Sequence, residues 1–320
     1  MRKTTPSDAD SQPAIRRYSG GFIGEEKGAK AFTFTAPANQ TIPVVIAAPH
    51  GGRHYPEVVQ ANMREPEYCA LRLEDRYVDV LASEVARITG AGLLVAHAPR
   101  AMLDLNRATD DVDWGMIAGK PAGKILHSQS NRRARSGLGL VPRRLGGFGE
   151  IWKRPIDQVE LDGRIEGIHR PYHEALAKEL AQIKDDWGAA LLVDLHSMPP
   201  LRKQFGQEYA PQFVLGDRFG ASCDASLIGR ALRHFEYQGQ VAAHNRPYAG
   251  GFVLDHHASP RRGIHAIQVE VCRTTYLDHN LKQPSVQLAS LSQSLAGLIR
   301  ELGAAAAQLS QGGAFPLAAE

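Results

Sequence analysis

An α/β fold built on a largely parallel sheet, with helices on both faces, is predicted by three observations. Short apolar runs without in/out alternation recur along the chain, stretches with helical spacing separate them, and polar groups of catalytic type gather where the runs end. PVVIAAP (43–49) is a β-branched run that stops at the turn His50-Gly51-Gly52. Over 73–89, apolar Leu73, Tyr77, Val80, Leu81, Val85 and Ile88 fall at helical spacing. Gly90 and Gly92 close that helix and lead into LLVAHA (93–98), a second buried strand. A helix around 163–186 precedes ALLVDL (190–195), a third such run. FVL (213–215), a helix near 224–235, HAIQVEV (265–271) and a long amphipathic helix near 285–302 complete the series. No internal repeat is visible. The chain is read as one catalytic domain over 19–303, between a frayed polar segment (1–18) and a loose C-terminal tail (304–320).

Composition narrows the function classes. Of 320 residues, 43% are hydrophobic and 22% charged, ordinary for a globular protein. With 37 basic against 34 acidic residues the net charge is +3, too small to make nucleic acid or a membrane surface the main partner. MRKTTPSDADSQPAIRR lacks an apolar signal-peptide core, and nowhere do about 18 apolar residues run together. The expected compartment is the cytoplasm. Cys69, Cys223 and Cys272 form no C-x-x-C pair and read as free thiols.

In sheets of this type the ligand sits just past the carboxyl ends of the strands. VVIAAP ends in His50; LLVAHAP ends in Arg100, followed by Asp104, Asn106 and Arg107; LLVDL ends in His196-Ser197; AIQVEV carries Glu270. Two imidazoles and one carboxylate make a catalytic zinc site with a position left open for water, and iron, cobalt or manganese would also be accepted. A further carboxylate outside the ligand set can serve as general base. Gly51 and Gly52 let the backbone turn sharply beside the metal. Asp194 is read as a support residue on the other face of its strand. Glu74 and Asp75 open the helix after the first strand, and either could be the third ligand. Arg100, Asn106 and Arg107 suit recognition of an anionic substrate, the alternative being an ordinary salt bridge to Asp104 or Asp110.

PVVIAAPHGGRHYP, LEDRYVD, VAHAPRAMLDLNRATDD, LLVDLHS, GASCD, NRPYAGGFVLDHH and GIHAIQVEV occur in the order found in N-formylglutamate amidohydrolases, and over roughly residues 42–280 the chain resembles that family. DLNR and DLHS are also similar to aspartoacylase and, more distantly, to zinc carboxypeptidases. The resemblance implies a three-layer αβα, phosphorylase/hydrolase-like fold with a mostly parallel mixed sheet and one Zn2+ per chain. It implies His50 and His196 as ligands, Glu270 as general base, Asn106 and Arg107 as holders of the substrate carboxylate, and Arg100 as the group polarising the scissile carbonyl. Asp75-Arg76 matches a D-R pair of the family and favours Asp75 as third ligand over Glu74. Gly250 and Gly251 are expected to form a close-approach loop, with His256 donating to substrate or oxyanion.

The implied reaction is hydrolysis of N-formyl-L-glutamate to formate and glutamate, as in histidine degradation. Another small anionic N-acyl amino acid, or metal or anion binding without catalysis, is the competing reading. Two departures bear on this. Arg53 stands where related zinc peptidases have the Glu of H-x-x-E, and Cys69 to Arg72 replaces the D-T-D-W found before the D-R pair in many formylglutamate enzymes. The second departure puts substrate identity in question more than chemistry.

Three further signals carry less. GKPAGK (119–124) lacks phosphate-loop spacing, and Ser222 in GASCD lacks the second glycine of a nucleophile elbow. NRRARSGLGLVPRR (131–144) holds five arginines and no acid; it is read as a cationic lid for a dianionic substrate, with a solvated surface loop as the alternative.

Overall fold

The computed structural model describes residues 14–24, 29–119, 132–203 and 209–311. Eight strands form one sheet: β1 (Ile15–Gly20), β2 (Phe32–Pro37), β3 (Val44–Ala48), β4 (Gly92–Ala96), β5 (Ala190–Met198), β6 (Phe213–Gly216), β7 (Ala242–His244) and β8 (Ile264–Cys272). They lie in the order β1-β2-β4-β3-β5-β8-β6-β7. The central four, β4, β3, β5 and β8, are mutually parallel, while β2 and β6 run antiparallel to their inner neighbours. The fold is a three-layer α/β sandwich with a mixed, mostly parallel sheet, as predicted.

Strand periodicity divides the core. Leu191, Val193 and Leu195 of β5 enter one apolar layer with Val44, Ile46, Ile267 and Val269. Ala190, Leu192, Val45, Ala47 and Ala266 enter the other. Helices α1 (Val78–Thr89), α3 (Ala225–Tyr237) and α5 (Gln287–Gln311) cover the first face, and α2 (Arg170–Trp187) covers the second. Burying each such Val, Leu or Ile contributes roughly 1.5–3 kcal/mol. A one-residue slip of β5 would turn Asp194 and His196 into the apolar layer, so the packing that stabilises the sheet also fixes the site's register.

Four departures from the sequence expectation have physical causes. The helix expected over 73–89 is two helices, because residues 74–77 leave the helical path. Glu74 is extended, Tyr77 has φ +58°, the Asp75 amide donates to the His50 carbonyl, and Arg273 donates to the Glu74 carbonyl. β1 begins inside the segment expected to fray; it pairs antiparallel with β2 from Ile15 to Gly20, while residues 1–13 lie outside the described residues. β2 itself alternates, with Phe32, Phe34 and Ala36 buried and the threonines between them half-buried, a pattern unlike the continuous apolar runs elsewhere. At the other end α5 runs to Gln311, since Ala305 and Ala306 extend the buried stripe of Leu295, Ile299 and Leu302 beyond the expected stop at 303. Among the described residues no helix is long and apolar enough to cross a membrane.

Candidate active site

The polar groups converge just past β3 and in the carboxyl-terminal halves of β5 and β8. Side chains two apart in a strand share a face. Asp194 and His196 of β5 therefore sit beside Gln268 and Glu270 of β8, which pair with them in register. Asp194 is thus on the same face as His196, not the opposite one expected from the sequence. His50 follows β3, where the chain turns through Gly51 and Gly52; a Cβ on Gly52 would collide with the Ala98 carbonyl, so only glycine lets the loop pass this close to β4. The break between residues 73 and 78 delivers Asp75 to the same point.

His50, Asp75 and His196 are buried, and each offers one donor atom within 4.8 Å of the others. Asp75 Oδ2 lies 3.0 Å from His196 Nδ1 and 3.5 Å from His50 Nδ1. On the far side of each ring Nε2 is 2.8 Å from a carboxylate, Asp104 Oδ1 for His50 and Asp194 Oδ2 for His196. An ionised carboxylate only accepts, so each Nε2 carries a proton and, in the neutral ring, Nδ1 presents a lone pair toward Asp75. His50 Nδ1 is buried without a hydrogen-bond partner. Bonds of about 2.0–2.1 Å in a tetrahedral zinc site imply donor separations of about 3.3 Å. The observed 3.0 and 3.5 Å bracket that value, so the donor set fits a divalent metal.

The electrostatics agree. Burial raises the Asp75 carboxyl, but the adjacent His196 and His50 rings, His196 through its 3.0 Å hydrogen bond, outweigh it and hold the acid well below the usual range. For His196, burial alone would lower the imidazole; the charge and hydrogen bond of Asp194, then Asp75, raise it well above its ordinary value. Without a metal, the 3.0 Å contact of His196 Nδ1 with Asp75 Oδ2 is bridged by a proton, which a metal ion would replace.

Asp104 is the hub of the arginine-lined side of the site. Its Oδ1 accepts from His50 Nε2 and from the Asn106 amide at 2.8 Å, and Oδ2 accepts from Arg100 Nε at 2.9 Å. Burial pushes its carboxyl up, yet Arg100, Arg107 and His50 hold it well below the carboxylate range. Arg107 donates Nε to the Leu138 carbonyl and Nη1 to the Asn106 carbonyl. Asn106 Nδ2 donates to Gln268 Oε1, and Gln268 donates to Glu270 Oε1 at 2.9 Å. Burial, reinforced by the charges of Asp75 and Asp194 and opposed by His196 and Arg100, pushes Glu270 up to about 7.

A cavity of about 650 Å3 is lined by His50, Asp75, Arg100, Asn106, Arg107, His196, Gly250, Gly251 and Glu270, so the structure brings nearly all the expected residues together. A Cβ on Gly251 would meet the Asn106 amide at 2.6 Å, and Gly250 has φ +96°, which accounts for both glycines. Two expectations fail. Glu74 faces away and pairs with Arg76 at 2.9 Å, leaving Asp75 as the carboxylate beside the imidazoles. His256 is exposed and does not line the cavity: α4 (Phe252–His257) is helical rather than extended, and a helix places residue 256 over residue 252, so the His256 ring stacks on Phe252 at 4.9 Å.

Arg273, absent from the sequence reading, also lines the cavity; it reaches Ser197 Oγ, the Leu71 and Glu74 carbonyls and Asp75 Oδ1. Its only sequence signal is a lone arginine three residues past Glu270 at a strand end. The arginine-rich segment divides. Arg133 and Leu138 face the cavity, whereas Arg143 and Arg144 pair with Glu150. Ser222 is buried and donates to the Ala266 carbonyl, a structural bond. Apart from Gly119, GKPAGK lies outside the described residues.

A model of the N-formylglutamate amidohydrolase family matches residues 42–277. The N-formylglutamate deformylase of Pseudomonas aeruginosa is 31% identical over 265 residues, covering 82% of this chain and 91% of that protein. The N-formylglutamate deformylase of Pseudomonas putida is 30% identical over 262 residues with the same coverage. Among solved structures, the N-formylglutamate amidohydrolase of Ralstonia eutropha JMP134 superposes with a TM-score of 0.76 at 29% identity, covering 87% of this chain and 99% of that one.

Proposed function

The chain belongs to the N-formylglutamate amidohydrolase family, and we propose that it hydrolyses N-formyl-L-glutamate to formate and L-glutamate, a step of histidine degradation, with a zinc ion held by His50, Asp75 and His196. The observation that carries this reading is the placing of Asp75 against both imidazole Nδ1 atoms, each ring fixed from behind by a carboxylate, at the wall of an arginine-lined cavity. When bound, the metal supplies Lewis acidity and lowers the pKa of water toward about 7.

Glu270 takes the proton of the attacking water, and Gln268 steadies its Oε1 so that the carboxyl keeps one orientation. Water oxygen bonds to the formyl carbon, and the carbonyl oxygen gains negative charge. Arg100, fixed through Nε by Asp104, keeps its Nη donors for that oxygen; one such donor contributes roughly 3–4 kcal/mol. Glu270 then delivers the proton to the departing nitrogen as the C–N bond breaks. Arg107 anchors a substrate carboxylate and Asn106 holds the loop that carries it, which aligns the amide for attack. The guanidiniums of Arg100, Arg107 and Arg133 around one cavity favour a dianion.

The cavity's size, about 650 Å3, favours one second reading, hydrolysis of a longer N-acyl group on an acidic amino acid. Initial rates on N-formyl-, N-acetyl- and N-succinyl-L-glutamate, beside N-formyl-L-leucine, separate the possibilities. Highest kcat/KM for N-formyl-L-glutamate supports the proposal, and a preference for a longer acyl group selects the second reading. Equal turnover of N-formyl-L-leucine removes the carboxylate anchor.

A further inference from the structure

A second polar cluster lies behind the cavity wall, apart from His50, Asp75 and His196. His169 and His173 stand one turn apart where a π-helical turn, Ile165–His169, runs into α2, and His257 closes α4. All three are buried. The His169 and His173 rings lie 4.4 Å apart and His173 and His257 5.2 Å apart, with Phe252, which lines the cavity, 5.1 Å from His173.

The hydrogen bonds fix the protons. His169 Nε2 is 2.9 Å from the Arg107 carbonyl and His173 Nε2 is 3.0 Å from the Leu105 carbonyl. A carbonyl only accepts, so both Nε2 atoms are donors. Neutral His173 then has a lone pair on Nδ1, and His257 Nε2, 2.9 Å away, must donate to it. The titratable and charged groups facing the cluster are its own members, His256, and, around His169, Asp104 and Arg170. Burial, then neighbouring imidazoles, hold His173 well below the histidine range and His257 at about 3.

Leu105 and Arg107 flank Asn106, whose amide connects through Gln268 to Glu270. We propose that His173, braced by His257 and seconded by His169, is a positioning residue that holds the Leu105–Arg107 backbone so that Arg107 meets the substrate carboxylate. This rests on Arg107 being the carboxylate anchor. His173 does not line the cavity, so it acts through the loop. A neutral imidazole suits this role because it donates to one backbone carbonyl while accepting from a second ring, and it adds no charge beside the guanidinium.

His173→Phe keeps a ring and removes both nitrogens. The expected result is a KM for N-formyl-L-glutamate raised about tenfold or more, with kcat within about threefold and KM for N-formyl-L-leucine unchanged. His173→Gln, which keeps an N–H for the Leu105 carbonyl, is expected to recover part of the loss. An unchanged KM, or equal losses on the acidic and neutral substrates, overturns the proposal. Should His173→Phe fail to fold, long-range 1H–15N spectra of the wild-type chain decide. Neutral Nε2–H tautomers at His169 and His173 from about pH 8 to about pH 5.5 are expected, and an Nδ1–H tautomer or an imidazolium at His173 near neutral pH overturns the brace. A wild-type chain inactive on N-formyl-L-glutamate refutes the functional reading instead, and the tautomer pattern still decides the brace.

Discussion

Replacing Asp104 by Asn changes shape very little and charge by one unit, at a position where three donors converge. Asp104 accepts from His50 Nε2, the Asn106 amide and Arg100 Nε. An amide offers one acceptor oxygen. In its better orientation that oxygen keeps His50 and Asn106, and the NH2 group faces the Arg100 N–H. The lost charge-assisted bond is worth roughly 1.5–3 kcal/mol and the weakened bond from His50 about 0.5–1, so metal-free stability should fall by about 2–4 kcal/mol. This is below the roughly 3–5 kcal/mol for breaking a fully buried ion pair, because the Arg100 side chain keeps 24% exposure and can turn to water. The same substitution loosens the support of His50, for which a 10–100-fold loss of metal affinity is the usual consequence. Urea unfolding of the metal-free proteins at matched m-values reads the first effect, and zinc competition with a chromogenic chelator reads the second. A stability change under about 1 kcal/mol, together with zinc affinity unchanged within about threefold, would refute the reasoning.

Glu270→Gln should leave zinc bound while kcat falls by roughly 10²–10⁴-fold; retained turnover in a rate assay removes Glu270 from the proton transfer. Arg107→Ala should lower kcat/KM for N-formyl-L-glutamate by about a hundredfold and for N-formyl-L-leucine far less, and equal losses would make the arginine structural. Gly251→Ala places a methyl 2.6 Å from the Asn106 amide oxygen, so a higher KM with zinc affinity preserved is expected, and an unchanged KM would show that the loop yields without moving Asn106.

Much of the site was legible because parallel strands buried on both faces read as continuous apolar runs, and their ends are where ligands gather. PVVIAAP and ALLVDL marked β3 and β5, and His50 and His196 followed at their carboxyl ends. Glu270 belongs with them because β8 pairs with β5 in register. What stayed hidden depends on contacts between residues distant in sequence. Asp104 looked like an arginine's partner, and it does pair with Arg100; its bond to His50, 54 residues away, has no local signature. The helical period over 73–89 gave no warning of the break that delivers Asp75, since the pull comes from the His50 carbonyl and Arg273. His256 was misplaced because GGFVLDHH carries no strong helix signal, and α4 forms with Asn106 accepting from the Val253 amide. β1 and β2 escaped because β2, antiparallel to both its neighbours, alternates buried and half-buried residues, and β1, at the sheet edge, is mostly exposed.

Metal-dependent deformylation is the central claim. Formate release from N-formyl-L-glutamate should be measured with the zinc-loaded protein, with the same protein after chelator treatment, and after zinc is restored. The predicted result is release with about one zinc per chain, loss with the chelator and recovery on readdition. Undiminished release from metal-depleted protein, or none with one zinc bound, would contradict it.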